Sequence, residues 1–138
     1  LALNVARHLV VFVRRPGGQA QFSAALQSQH SDREPLNDLV AWATDHPAAD
    51  LSVEALAARV HMSVRNFSRI FRREVGQTPG AFVERIRVEA ARQILEDSDQ
   101  SLQRVAARTG LRSADSMRRV FLRVLKTSPS DYRHRFRR

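Results

Sequence analysis

The chain has 138 residues, enough for one or two small domains that bury a core without staples, and it has no cysteine, which excludes disulfides, thiolate metal sites and a cysteine nucleophile within it. Its formal net charge of +9 is unevenly placed: residues 1–50 carry four basic and five acidic side chains, residues 51–138 nineteen and nine, so the positive field belongs to the C-terminal part. The longest apolar stretch, Leu9 to Val13, is too short to span a membrane, and Arg7, His8, Arg14 and Arg15 on both sides of it fit a signal peptide poorly.

Apolar residues at 1, 5, 9, 12 and 13 trace a helical stripe over residues 1–15, although Val10 to Val13 alone could form a strand. The chain opens on Leu1 rather than methionine, so it is expected to be a piece of a longer protein. Pro16-Gly17-Gly18 ends the first element, and residues 16–34, mostly polar and without a strong period, read as a linker with one weak helical turn around Phe22 to Leu26. A helix is expected from about Leu36 to His46, with Leu36, Leu39, Val40 and Ala43 on one face and Pro47 beyond its end.

From here the chain repeats itself. Leu56-Ala57-Ala58-Arg59-Val60 recurs as Val105-Ala106-Ala107-Arg108-Thr109, and Phe67-Ser68-Arg69-Ile70-Phe71 as Met117-Arg118-Arg119-Val120-Phe121, with Pro79/Pro129 and Phe82/Tyr132 in step. One extra residue separates the two blocks in the second copy, where His61-Met62-Ser63 is answered by Gly110 to Ser113. An insertion tolerated there places a turn between two helices, so each copy reads as a helix-turn-helix. Two copies are too few for a solenoid. Ser52 and Ser101 are expected to cap the first helices (Val53 to Val60, Leu102 to Thr109), which are followed by longer ones (about Val64 to Val75, stopped by Gly76, and Ala114 to Leu125). Thr78-Pro79 starts a helix of about residues 79–96, roughly 27 Å long, presenting Phe82, Ile86, Ala90, Ile94 and Leu95; it is expected to act as a rigid spacer. Ser128-Pro129-Ser130-Asp131 starts a last helix, about 129–137, with Asp131 placed as in a capping box. The expected fold class is all-α, about seven helices.

At 100° per residue, Phe67, Ile70, Phe71 and Glu74 fall on the docked side of the helix from Val64, while Arg65, Arg69 and Arg72 face out with Asn66 and Arg73 beside them. Arg can pair bidentately with guanine and Asn with adenine, and the N-terminal turn of a major-groove helix approaches base edges. In the second copy Asp115, Arg119 and Leu122 face out, Arg118 and Arg123 lie at the sides, and Met117, Val120, Phe121 and Val124 point inward. Arg65, Asn66, Arg69, Asp115, Ser116 and Arg119 are therefore the expected base readers, and Ser63, Arg72, Arg73, Arg112, Ser113, Arg118 and Arg123 the expected phosphate contacts. Because an acid repels phosphate, the second copy is expected to read fewer bases. Arginine supplies 22 of the 23 basic residues, a bias that a GC-rich genome also produces. His8, His30, His46, His61 and His134 show no ligand spacing, so neither metal, cofactor nor catalytic residue is expected. Trp42 is expected in the core rather than as a base-stacking platform.

Arg-Asn-Phe-Ser-Arg-Ile-Phe-Arg-Arg (65–73), Gly-Gln-Thr-Pro (76–79), Arg-Val-Glu-Ala-Ala-Arg-Gln-Ile-Leu (87–95) and Ser-Pro-Ser-Asp-Tyr-Arg (128–133) resemble the AraC/XylS family of bacterial transcription regulators over about residues 36–138. The resemblance implies a DNA-binding domain over 35–138: two homeodomain-like helix-turn-helix units (about 52–76 and 101–125) joined by a linker helix (about 79–96), set into successive major grooves. Val5-Ala6-Arg7-His8-Leu9-Val10-Val11, with the Arg14 to Phe22 stretch and Ser113 to Arg119, resembles the subfamily whose sensor is a DJ-1/PfpI, glutamine-amidotransferase-like domain. By implication residues 1–15 are the last helix of an absent sensor. Leu111, Arg112 and Lys126 stand where the family frequently has an aromatic residue, a glycine and a glycine.

The expected function is sequence-specific double-stranded DNA binding at operators or promoters, without enzymatic activity, in the cytoplasm at the nucleoid. RNA polymerase is a candidate partner, and the full-length protein a candidate dimer through its N-terminal domain. Two alternatives stay open: a non-specific basic nucleic-acid-binding bundle, and a fragment of an amidotransferase-like enzyme.

Overall fold

Each helix start after residue 50 is fixed by the same local chemistry. In the computed structural model, which describes residues 24–137, Ser52, Ser63, Thr78, Ser101, Ser113 and Ser128 each accept, through the side-chain oxygen, the backbone N–H three residues on, at 3.0–3.2 Å. The described residues form seven helices and no strand: α1 (Ala24–Asp45), α2 (Val53–Arg59), α3 (Val64–Val75), α4 (Pro79–Asp97), α5 (Leu102–Thr109), α6 (Ala114–Leu125) and α7 (Pro129–Phe136). The all-α expectation holds. None of these helices is long and apolar enough to cross a membrane.

Helix ends follow a second local rule. Gly76 (φ 90°) and Gly110 (φ 79°) close α3 and α5 in the left-handed conformation. Their repeat partners are not glycine: Lys126 (φ 62°) answers Gly76, and His61 (φ 59°) answers Gly110. Arg112 (φ 76°), at the inserted turn, is left-handed too. A Cβ in this region is strained, so Lys126→Gly should stabilise the domain by roughly 0.5–1 kcal/mol, the gain being reduced by loss of the Lys126 Nζ bond to the Arg123 carbonyl (3.1 Å). A denaturant midpoint that falls on this change would show that the bond outweighs the strain.

The first helix departs from expectation. It begins at Ala24, twelve residues before the expected start near Leu36, so residues 24–34, read as linker, are helical and Pro35 lies inside the helix. Proline removes one intrahelical hydrogen bond and is a sound sequence-level stop. Here the helix is held from outside on both sides of it: Leu36, Leu39, Val40 and Ala43 are buried, and Arg33 donates from Nε (2.9 Å) and Nη2 (2.7 Å) to Glu74 of α3. The expected element over residues 1–15, and the linker up to residue 23, lie outside the described residues.

There are two cores. The first joins Leu36, Val40, Leu56, Phe67, Phe71 and Phe82 across α1–α4, and the second joins Val88, Leu95, Val105, Met117, Phe121 and Tyr132 across α4–α7. Helix α4 belongs to both, through different faces. Phe82, Val83 and Ile86 enter the first core, and Val88, Ala91 and Leu95 the second; at 100° per residue the two sets point roughly 170° apart. The single stripe expected from Phe82 through Ala90 to Ile94 is thus replaced by two, because each half of the helix serves a different unit. Ala90 and Ile94 are only half-buried.

Side-chain bonds brace this arrangement. Arg87 of α4 reaches back to the loop before α2, donating to the carbonyls of Pro47 (2.8 Å) and Ala49 (3.0 Å). Arg123 of α6 grips Glu84 of α4 with both terminal nitrogens, and this pairing holds the Glu84 carboxyl below its ordinary value. Tyr132 of α7 donates to Glu96 and accepts from Arg92 (2.9 Å).

Candidate nucleic-acid interface

Helix α3 is sharply two-sided. Phe67, Ile70, Phe71 and Val75 are at most 4% exposed, and the rings of Phe67, Phe71 and Phe82 pack with successive centroids 5.4 Å apart. This aromatic row fixes α3 on the first core. The opposite side is basic: Arg65, Arg69, Arg72 and Arg73 are exposed and Asn66 is half-buried. Two details were not read from the sequence. Glu74, expected on the docked side, is there because Arg33 and Arg73 Nε (2.9 Å) both donate to it, so its burial is that of a paired charge. Val64, 40% exposed, adds an apolar surface beside Arg65 at the helix tip.

Helix α6 repeats the plan with different side chains. Met117 and Phe121 are fully buried, the latter edge-on to Tyr132, while Asp115, Arg118, Arg119 and Leu122 are exposed and Ser116 is half-buried. Val124, expected inward, is 42% exposed and lines a shallow groove with Ala81, Val88 and Leu125. The second core takes Met117 and Phe121 from α6, with Val120 and Leu125 packed against it, and Val124 stays at the edge of the groove instead. Of the expected phosphate contacts in this unit, Arg112 and Arg118 are exposed, whereas Arg123 is already paired with Glu84.

The exposed polar groups are also arranged among themselves. Arg69 Nη2 donates to Asn66 Oδ1 (2.6 Å), and Arg119 Nη1 to Asp115 Oδ2. Ser63 and Ser113 use their oxygens as acceptors for the helix caps, which leaves each hydroxyl hydrogen available as a donor. Arg112 stands near Arg87, whose affinity for its proton is lowered by burial and then by this neighbouring charge. The corner between the units is therefore positive.

Trp42 is half-buried against the first core, with Arg59 lying 3.5 Å over its ring and His46 stacked at 4.6 Å. Its faces are occupied by these neighbours, as suits a packing rather than a base-stacking role. Among the described residues no three or more His, Asp or Glu side chains cluster to hold a metal ion.

Comparison with known proteins agrees with this geometry. A helix-turn-helix domain family matches residues 56–135. The chain is 49% identical over 81 residues to the HTH-type transcriptional regulator Rv1931c of Mycobacterium tuberculosis, covering 59% of this chain and 31% of that protein. It is 31% identical over 125 residues to the HTH-type transcriptional activator RhaS of Salmonella paratyphi B, covering 91% of this chain and 42% of RhaS. The chain thus spans less than half of either relative. Among solved structures, the DNA-binding domain of AdpA, a global transcriptional factor crystallised with a target DNA, superposes with a TM-score of 0.71 at 43% identity, over 74% of this chain and 92% of that one. An AraC-type regulator from Chromobacterium violaceum shares the fold with a TM-score of 0.68 at 21% identity, over 77% and 95%. These relatives are regulators of transcription, not enzymes.

Proposed function

The chain belongs to the AraC/XylS family of helix-turn-helix DNA-binding domains, and from that premise we propose that it reads a specific double-stranded operator with α3 and α6 in successive major grooves and so regulates bacterial transcription. One observation carries the reading: α3 buries Phe67, Ile70 and Phe71 and turns Arg65, Arg69 and Arg72 to solvent along the opposite side, with Arg65 and half-buried Asn66 in the first, base-approaching turn of a capped helix. Arg65, Arg69 and Arg119 are the leading guanine readers, with Asn66, Asp115 and Ser116 on the same base-facing turns and Val64 beside a thymine methyl. Ser63, Arg72, Arg73, Arg112, Ser113 and Arg118 hold phosphates. Arg123 contributes through its grip on Glu84 as well as its charge.

Arg65→Ala and Arg69→Ala should each weaken binding to a selected operator by ~1–3 kcal/mol and relax preference at one base pair. Equal losses on operator and random duplex, measured at one salt concentration, would make them phosphate clamps and favour the non-specific reading. Helix α4, 19 residues and so roughly 28 Å long, suits two units one DNA turn apart, ~34 Å. Hydroxyl-radical footprinting should show two protected segments ~10 bp apart; a single short footprint would reduce the second unit to a support.

For the whole protein the proposal adds a DJ-1/PfpI-type sensor upstream, ending in residues 1–15, dimerisation through that domain, contact with RNA polymerase, and a cytoplasmic place at the nucleoid. It is supported by the upstream sequence, by the fraction of its relatives that the chain spans, and by their regulatory function.

A further inference from the structure

Arg69 and Arg119 occupy equivalent positions of the repeat, and each is held by an acceptor about one helical turn before it. In α3 the acceptor is the neutral amide oxygen of Asn66, three residues back; in α6 it is the carboxylate of Asp115, four residues back. Both α6 partners are about two-thirds exposed, so the pair adds little to stability. An exposed arginine otherwise samples many rotamers, and freezing them opposes binding. We propose that Asn66 and Asp115 are positioning residues rather than base readers: each restrains the arginine one turn on so that its remaining N–H groups point outward as a fork for a guanine edge. The inference rests on the base-reading role given above to Arg69 and Arg119.

Two consequences of the geometry support it. Asp115 stands where the first unit has Arg65, on the face turned to DNA, and an isolated carboxylate there would repel the nearby phosphates. Paired with Arg119 the two side chains are together neutral, so the acid is tolerated. Asn66 would need its amide oxygen as well as its NH2 group to read adenine, and its contact with Arg69 takes up one of that oxygen's two acceptor positions and turns the amide toward the arginine. A guanidinium has five N–H donors, so engaging one leaves enough for the two acceptors of guanine. The same result is thus reached with different acceptors in the two copies.

The test uses the full chain and an operator selected by it from random duplexes, with each base pair then substituted at fixed salt. Arg119→Ala identifies the base pair that Arg119 reads. Asp115→Ala should lower preference at that same pair by about 5–10-fold, as expected for one coupled pair, and should change nothing further in the Arg119→Ala background. Asp115→Asn, which keeps an acceptor, should restore most of the preference, and Asn66→Ala and Asn66→Asp should behave likewise toward Arg69. A shift at a different base pair would show that Asp115 reads a base itself, and a uniform rise in affinity would show that it only repels phosphate; either overturns the proposal. If Arg119→Ala changes the profile and Asp115→Ala does not, positioning alone fails. A profile unchanged by Arg119→Ala removes base reading by that arginine and the proposal with it.

Discussion

Gly110→Ala should destabilise the domain by roughly 2–4 kcal/mol and change the half-site spacing that it prefers. An ideal Cβ at residue 110 would stand 2.4 Å from the Pro47 carbonyl oxygen and 2.6 Å from Arg87 Nε. The first obstacle is backbone and cannot rotate away; the second is the guanidinium that ties α4 to the loop before α2. A left-handed φ of 79° adds strain for any side chain. The turn of the second unit therefore touches the loop of the first through this glycine, and a methyl group there must push the units apart. Gly80 is the internal control. Nothing lies within 4 Å of a Cβ built on it, in the first turn of α4, so Gly80→Ala should stabilise by up to ~1 kcal/mol. Denaturant titration of both variants checks the contrast, and binding to operators with half-sites moved by single base pairs checks the spacing. Similar stabilities for the two variants would refute the close approach.

Phe71→Ala should cost about 3–5 kcal/mol, the range for deleting a buried aromatic side chain. The ring is wholly buried between Phe67 and Phe82 and so joins the recognition helix to α4. Because the two cores are distinct clusters, amide exchange should accelerate most in α1–α3 and least in α5–α7. Operator binding should fall with it, since the arginines of α3 lose their support. Phe71→Leu, which refills most of the volume, should recover most of the stability. Uniform loss of protection across both cores would show instead that the shared helix α4 makes the units a single cooperative block.

Several capping residues, the closing role of Gly76 and the docked and exposed faces of α3 were legible in the sequence because each is decided within about one helical turn. Ser52 and Ser101 bond a backbone N–H three residues on, as their place before an apolar period predicts, and Arg65 and Arg69 oppose Phe67 and Phe71 by helical period alone. The repeat supplied the architecture, since two copies of one local pattern must build two similar units. What only the tertiary structure decided depends on partners some forty residues away. Arg33 reaches Glu74 at a separation of 41 and accompanies α1 through Pro35; Arg123 reaches Glu84 at 39, so an expected phosphate contact is also a brace. Val124 is 42% exposed although its period points inward, lining an open groove with Ala81 and Val88 of α4 while Met117 and Phe121 fill the second core. A period shows that a face is apolar, but which body covers it, and which charge meets which, depends on how the helices pack in space.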